Sequence, residues 1–327
     1  MLKVGMPRAL FFYEYYPFWK TFFEELGAKV IISERTTKTI VDEGVRVCID
    51  EACLPVKVFH GHVIDLKTKV DYIFIPRLTS IAEGEYICPK FGGLPDMIKS
   101  SIEGLPHIIS TEINVRDSFS RIFNSIRDIG KYFCPHTGKI IKAYKKATQA
   151  YLNNKQQFRG GIPGWIIDKN SKGQTIQNFN YLNVGLLGHP YNIYDSYVNM
   201  NIIKKLEKSM VNSITPEMLD EEVLNKKALT LRKKMFWTFG RRILGAAMYF
   251  IERKDIHGII YIMSFGCGLD SFICDMVERR AREAGIPFTV FVLDEHTGEA
   301  GVDTRVEAFI DMIRWRSRNE NYVSTYG

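Results

Sequence analysis

No stretch of this 327-residue sequence approaches the roughly 20 consecutive apolar residues that a membrane-spanning helix needs. The opening residues, MLKVGMPRALFF, resemble a strand and turn more than a secretory leader, because no cleavage site follows them. Both features predict a cytoplasmic protein with no membrane partner. The glycine fingerprints GxGxxG and GxxxxGK[ST] are also missing, so nucleotide binding by this chain is unsupported. No two cysteines have the CxxC spacing of a zinc knuckle, which argues against a structural zinc site. No RNA- or DNA-binding motif occurs either. The net charge of +7, from 44 basic and 37 acidic residues, collects in helix-like stretches such as Lys139–Lys146 and Arg232–Arg242. Acids interleave with the basic residues, so these stretches read as solvated helix faces rather than a nucleic-acid patch. A basic surface of this kind also suits an acidic partner or a phosphorylated substrate.

With 46% hydrophobic and 25% charged residues, the sequence has the composition of a globular protein long enough for two domains. Lys3–Met6 reads as a strand, followed by Pro7-Arg8 and an aromatic-rich helix through Glu25 that Gly27 ends. Ala28–Ser33, Val70–Pro76 and Leu105–Ser110 are apolar runs of the kind buried on both faces of a parallel sheet, with a helix-like segment at Leu94–Ser101. The pattern predicts an N-terminal Rossmann-like lobe over residues 1–115. Residues 116–180 read as a mostly polar helical segment and a linker rich in Gly, Asn, Gln and Lys. Alternation restarts at Asn183 with LNVGLLG and continues with a long helix at Lys226–Glu252. The strands HGIIYIMS (His257–Ser264) and PFTVFVLD (Pro287–Asp294) follow, then a final helix at Asp303–Arg318. This predicts a C-terminal Rossmann-like lobe over 181–327. The fold class is α/β, two lobes with parallel sheets and a helical connecting region. Val4-Gly5 and Val184-Gly185 open the two halves alike, each leading into a proline-containing turn and a leucine 22 residues on, at Leu26 and Leu206.

The chemistry concentrates in VCIDEACLPVKVFHGHVIDL, Val47–Leu66. Val56, Phe59, Val63 and Leu66 lie on one helical face, and Pro55 suits a first helical turn. Cys53 then enters a helix where the dipole and unpaired N–H groups favour the thiolate. Cys88, in EYICPKFGGLPD, follows the Val70–Pro76 strand by a loop, and Cys267, in SFGCGLDSF, follows the Ile259–Ser264 strand directly, where Gly266 and Gly268 let the backbone turn sharply. Ligands in parallel sheets bind beyond the carboxyl ends of the strands. Thiolates on such loops are what an iron–sulfur cluster requires. Cys274, beside Ile273 and Val277 in a helix, and Cys134, before Pro135, read as core. Cys48, five residues before Cys53, fits either core or a fourth ligand.

Other groups have bland readings beside the functional ones. His60 and His62, at i and i+2 on a helix, point apart and read as packing residues. Arg8 and Arg77, each just past a strand end, suit an anionic group or an ordinary ion pair. Asp294, Glu295 and His296 read as a cap for the next helix with Thr297 rather than acid/base groups.

The segments ACLPVKVFHGH, YICPKFGGLPD, GHPYNIYDSY, SFGCGLDSF and LDEHTGEAG together resemble the acyl-CoA dehydratase activase-related proteins. These are similar in turn to the cluster-bearing subunits of 2-hydroxyacyl-CoA dehydratases and benzoyl-CoA reductases. The resemblance implies a [4Fe-4S] cluster between the lobes, held by Cys53, Cys88 and Cys267, with one iron open to a small ligand. It implies as partners an ATP-dependent activase that reduces the cluster, an acyl-CoA or other small-molecule substrate, and a second copy or a related subunit. A double-cubane [8Fe-9S] cluster, which would need more cysteines, is the alternative cofactor. An electron carrier or scaffold for a partner enzyme and a zinc-stabilised α/β binding module are the alternative functions. No CoA-binding signature matches residue by residue.

Overall fold

Apolar strands that alternate with amphipathic helices must bury both faces of a sheet, and this chain does so twice. The computed structural model describes residues 1–166, 181–229 and 234–319. They divide into two compact units, one of Met1–Gln157 with Phe236–Phe239, the other of Phe158–Met235 with Gly240–Gly327. Among the described residues no helix is long and apolar enough to cross a membrane.

The first unit runs β1 (Lys3–Met6), α1 (Phe12–Glu25), β2 (Lys29–Ile32), α2 (Lys38–Val47), α3 (Leu54–Leu66), β3 (Tyr72–Phe74), β4 (Arg77–Ser80), α4 (Pro89–Ser101), β5 (His107–Ile109), β6 (Glu112–Asn114), α5 (Ile122–Gly130) and α6 (Thr137–Arg159). Its parallel sheet has the order β2-β1-β3-β5, with Val4 opposite both Val30 and Tyr72. The aromatics of α1 explain its packing. Trp19, Phe22 and Phe23 recur at i, i+3 and i+4 and turn inward, and Trp19 and Phe23 meet Phe74 at ring distances of 4.4 and 5.1 Å. Helices α2 and α3 touch backbone to backbone. A Cβ on Gly61 would lie 1.9 Å from the Ile40 carbonyl oxygen, and one on Gly44 would lie 2.0 Å from that of Lys57. The glycine of FHGH is therefore a packing requirement of the close α2–α3 contact.

The second unit runs β7 (Leu182–Gly188), α7 (Pro190–Ile193), α8 (Ile202–Lys208), β8 (Val211–Ile214), α9 (Glu221–Ala228), α10 (Thr238–Glu252), β9 (Gly258–Ser264), α11 (Gly268–Glu283), β10 (Phe288–Leu293) and α12 (Glu299–Asn319). Its parallel sheet, β8-β7-β9-β10, has the same plan as the first: second strand, first, third, fourth. The likeness between Val4-Gly5 and Val184-Gly185 thus reflects equivalent first strands. All seven residues of β9 are buried, Tyr261 completely, so this strand forms the centre of the second core.

The structure corrects several expectations. The helix expected at Lys226–Glu252 is two helices, α9 and α10. Backbone between them is used otherwise: Tyr86 N–H donates to Phe236 O at 2.7 Å, and Thr238 N–H donates to Tyr86 O at 2.9 Å. Groups committed to that bridge cannot continue a helix. The small parallel pair β4 and β6 was not expected, because strands of three or four residues leave little periodicity to read. In the expected linker, Asn153–Arg159 still belong to α6, and residues 167–180 lie outside the described residues. Arg241 and Arg242 do not form a solvated face. Both are buried; Arg242 sits 3.3 Å from Glu221 and 3.9 Å from Glu217, and Arg241 bonds Asn225.

Candidate cysteine and histidine site

Of the six cysteines, three sit at helix N-caps, and they are the three from the resembling motifs. Cys53 caps α3, Cys88 caps α4 and Cys267 caps α11, all half-buried. Proline in the first turn of α3 and of α4 explains two of these starts. Pro55 and Pro89 lack an N–H where none is needed and carry φ preset for a helix. Helix α4 starts earlier than Leu94, because Gly92 and Gly93 obscure a turn that Pro89 has already begun. At the third start, Gly266 at φ +76° makes the reversal that brings β9 into Cys267. Each cysteine thus stands at the N-terminal, positive end of a helix of 13 or 16 residues.

The other three cysteines differ. Cys48, Cys134 and Cys274 are buried. Burial pushes the Cys48 thiol up, and burial followed by Glu278, Asp270 and Asp275 pushes that of Cys274 up to about 12. Cys48 and Cys274 therefore keep their protons near neutrality.

Within the first unit the Cys53 and Cys88 segments are joined. Lys90, two residues into α4, donates to the carbonyl of Glu51, two residues before Cys53, at 3.3 Å. The bridge between Tyr86 and Trp237 fixes the loop immediately before Cys88. Arg77 pairs with Asp96 at 2.8 Å and donates to the Gly92 carbonyl, so it braces α4 rather than waiting for an anion. The Arg8 guanidinium lies over the Phe12 ring at 5.2 Å.

In the second unit the strand order reverses between β7 and β9, which places a crevice at their carboxyl ends. His189 follows β7 and Cys267 follows β9. With Asp270, in the first turn of α11, they offer a nitrogen, a sulfur and an oxygen that all lie within 4.8 Å of one another. His189 Nε2 is 3.3 Å from Asp270 Oδ1, which accepts the Tyr261 hydroxyl at 2.9 Å. His189 stacks on Tyr191 at 4.9 Å. Burial opposes its charge, yet the Asp270 carboxylate and a hydrogen bond to Cys267 outweigh burial and raise His189 to about 10. Ser264 joins the same strand ends by donating to Asn192 Oδ1 at 2.9 Å. Chemically this is a soft donor beside a histidine and a carboxylate: with the imidazole neutral the three could hold a metal, and with it protonated the histidine places a positive charge next to the sulfur.

Sequence reasoning found Cys267 but missed His189, Asp270 and Tyr261 as its neighbours. The signals present were an acid three residues after an N-cap cysteine and a histidine-proline pair at a strand end. The packing reading of the two histidines holds. His62 lies between Ser33 Oγ at 2.9 Å and Thr36 Oγ1 at 3.0 Å, and His60 Nδ1 is 2.7 Å from the Val56 carbonyl. Asp294 and Thr297 close a local turn before α12, with Thr297 Oγ1 donating to Asp294 Oδ1 at 2.9 Å.

No curated protein matches the chain. Residues 241–313, which include Cys267 and Asp270, match the 2-hydroxyglutaryl-CoA dehydratase D-component family. Residues 3–219, which include Cys53, Cys88 and His189, match the family described as CoA enzyme activase uncharacterised domain (DUF2229), and the chain belongs to that family.

Proposed function

We propose that this chain is an iron–sulfur protein of the 2-hydroxyacyl-CoA dehydratase-subunit type, with Cys53, Cys88 and Cys267 holding a [4Fe-4S] cluster. The observation that carries the reading is the division of the cysteines: three half-buried at helix N-caps, three buried. The donor set fits the group, since thiolates stabilised by helix N-termini suit a cluster. When bound, such a cluster supplies one low-potential electron and, with three protein thiolates, one iron open to a small ligand. The chain's own residues hold the sulfurs. Pro55 and Pro89 set two N-caps, Gly266 sets the third, and His189 donates toward Cys267 while Asp270 and Tyr261 keep the imidazole in place. The electron donor in this reading is an ATP-dependent activase. The acceptor would be a small acyl-CoA-type substrate or a partner enzyme, and turnover of such substrates separates those two.

Iron and acid-labile sulfide, measured per chain on protein purified without oxygen, test the reading together with the EPR spectrum after reduction. About four irons with a reducible signal support it, and about eight support a double cubane. The His189, Cys267 and Asp270 group favours a second reading, one zinc ion in an α/β binding module. Colourless protein that carries zinc and takes up no iron on anaerobic reconstitution would establish that one instead.

A further inference from the structure

The first unit contains a cavity of about 360 Å³ at the carboxyl ends of β1 and β3, the point where its strand order reverses. Ligands of parallel sheets bind at such points. A cavity of roughly 150 Å³ lined by aliphatic side chains already stays dry and takes up benzene. By the same scale this one holds roughly a dozen carbons. One side of it is made of buried apolar groups, among them Trp19, Phe74, Ile75, Leu94, Val115 and Ile126. Among the described residues no charged side chain lines it. Where α1 faces α6 the lining changes. Tyr15, Tyr144, Thr148 and Tyr151 are half-exposed there and bring hydroxyl-bearing side chains, beside Phe18 and the exposed Leu152, and the Lys155 ammonium, itself outside the lining, lies 5.3 Å from the Tyr151 ring centroid.

Buried apolar groups on one side, and hydroxyl-bearing side chains with an ammonium close by on the other, match one chemistry. We propose that the first unit binds a single medium-chain aliphatic carboxylate, its tail against the carboxyl ends of β1 and β3 and its head group at the mouth near Lys155. The cavity lies apart from Cys53 and Cys88 in its lining, and the proposal stands whether or not the chain holds a cluster.

The test uses the full chain, purified without oxygen and stripped of lipid, titrated below micellar concentrations and read by calorimetry and tryptophan emission. Dodecanoate should bind one per chain and change the emission, and Trp19→Phe should remove that change without removing the heat. Hexanoate buries six fewer methylenes and should bind at least 100-fold more weakly. Dodecanol should bind several-fold more weakly than dodecanoate, and Lys155→Gln should erase that difference. Ala9→Phe, which fills the cavity, should abolish binding in protein whose circular dichroism is unchanged. If that variant does not fold, the chain-length series on the unaltered protein decides. No saturable binding of dodecanoate, or equal binding of hexanoate and dodecanoate, would overturn the proposal, and equal binding of dodecanol would overturn the carboxylate.

Discussion

Nε2 of His189 lies 3.3 Å from Oδ1 of Asp270, with both side chains almost wholly out of water. A buried imidazole is ordinarily neutral. Here the carboxylate reverses that preference, and the residue beside Cys267 carries a positive charge where a thiolate or a cluster sulfur gains from it.

Asp270→Asn tests this pairing. Burial then acts on His189 against the Cys267 contact alone, so its pKa falls well below about 10, measured by NMR of the imidazole in metal-free protein. Removing one partner of a buried pair costs about 3 kcal/mol near pH 7. A pKa raised on folding gives stability that is complete below 6.5 and lost as pH rises toward 10. Denaturant titrations should therefore show a stability loss over that window in the parent protein that the variant lacks.

Serine substitutions divide the cysteines. Cys53→Ser, Cys88→Ser and Cys267→Ser should each lower iron content by more than half. Cys134→Ser and Cys274→Ser should leave it within about a fifth of the parent value and instead cost about 1–2 kcal/mol through a polar hydroxyl in the core. Unchanged iron in all three N-cap variants would sink the ligand assignment.

His62 behaves oppositely to His189. Burial, with Arg8 adding to it, holds it at about 3, so it is neutral between Ser33 and Thr36. The unfolded chain binds a proton below about 6.5 and the folded chain does not, so stability is present above 6.5 and drains as pH falls toward 3. At about pH 4.5 the loss from this group is roughly 2–3 kcal/mol. Urea unfolding of the parent and of His62→Gln across pH 4–7 should show that difference in slope.

Gly61→Ala should destabilise the first unit by about 2–4 kcal/mol, because the new methyl carbon would meet the Ile40 carbonyl oxygen at 1.9 Å. Thermal unfolding checks the cost. Iron content should fall with it, since α3 carries Cys53 at its N-cap.

Much of this was legible in the residues themselves. Val4, Val184 and the apolar strands after them specify buried parallel sheets through their unbroken hydrophobicity, and Pro55 specifies where a helix starts, because both are local properties of a few consecutive residues. The same holds for the packing roles of His60 and His62, which follow from the angular spacing of a helix. What lay beyond reading was decided by distant pairings. The stretch 236–238 looks helical alone and is taken instead by Tyr86, about 150 residues earlier. Arg241 and Arg242 look like surface charge and are buried because Glu217, Glu221 and Asn225 satisfy them. His189 joins Cys267 because β7 and β9 are neighbours in the sheet, 78 residues apart at those positions. Local physics settled which elements form. Only the tertiary fold, by choosing which strand ends meet, settled which side chains share a charge, a cavity or a site.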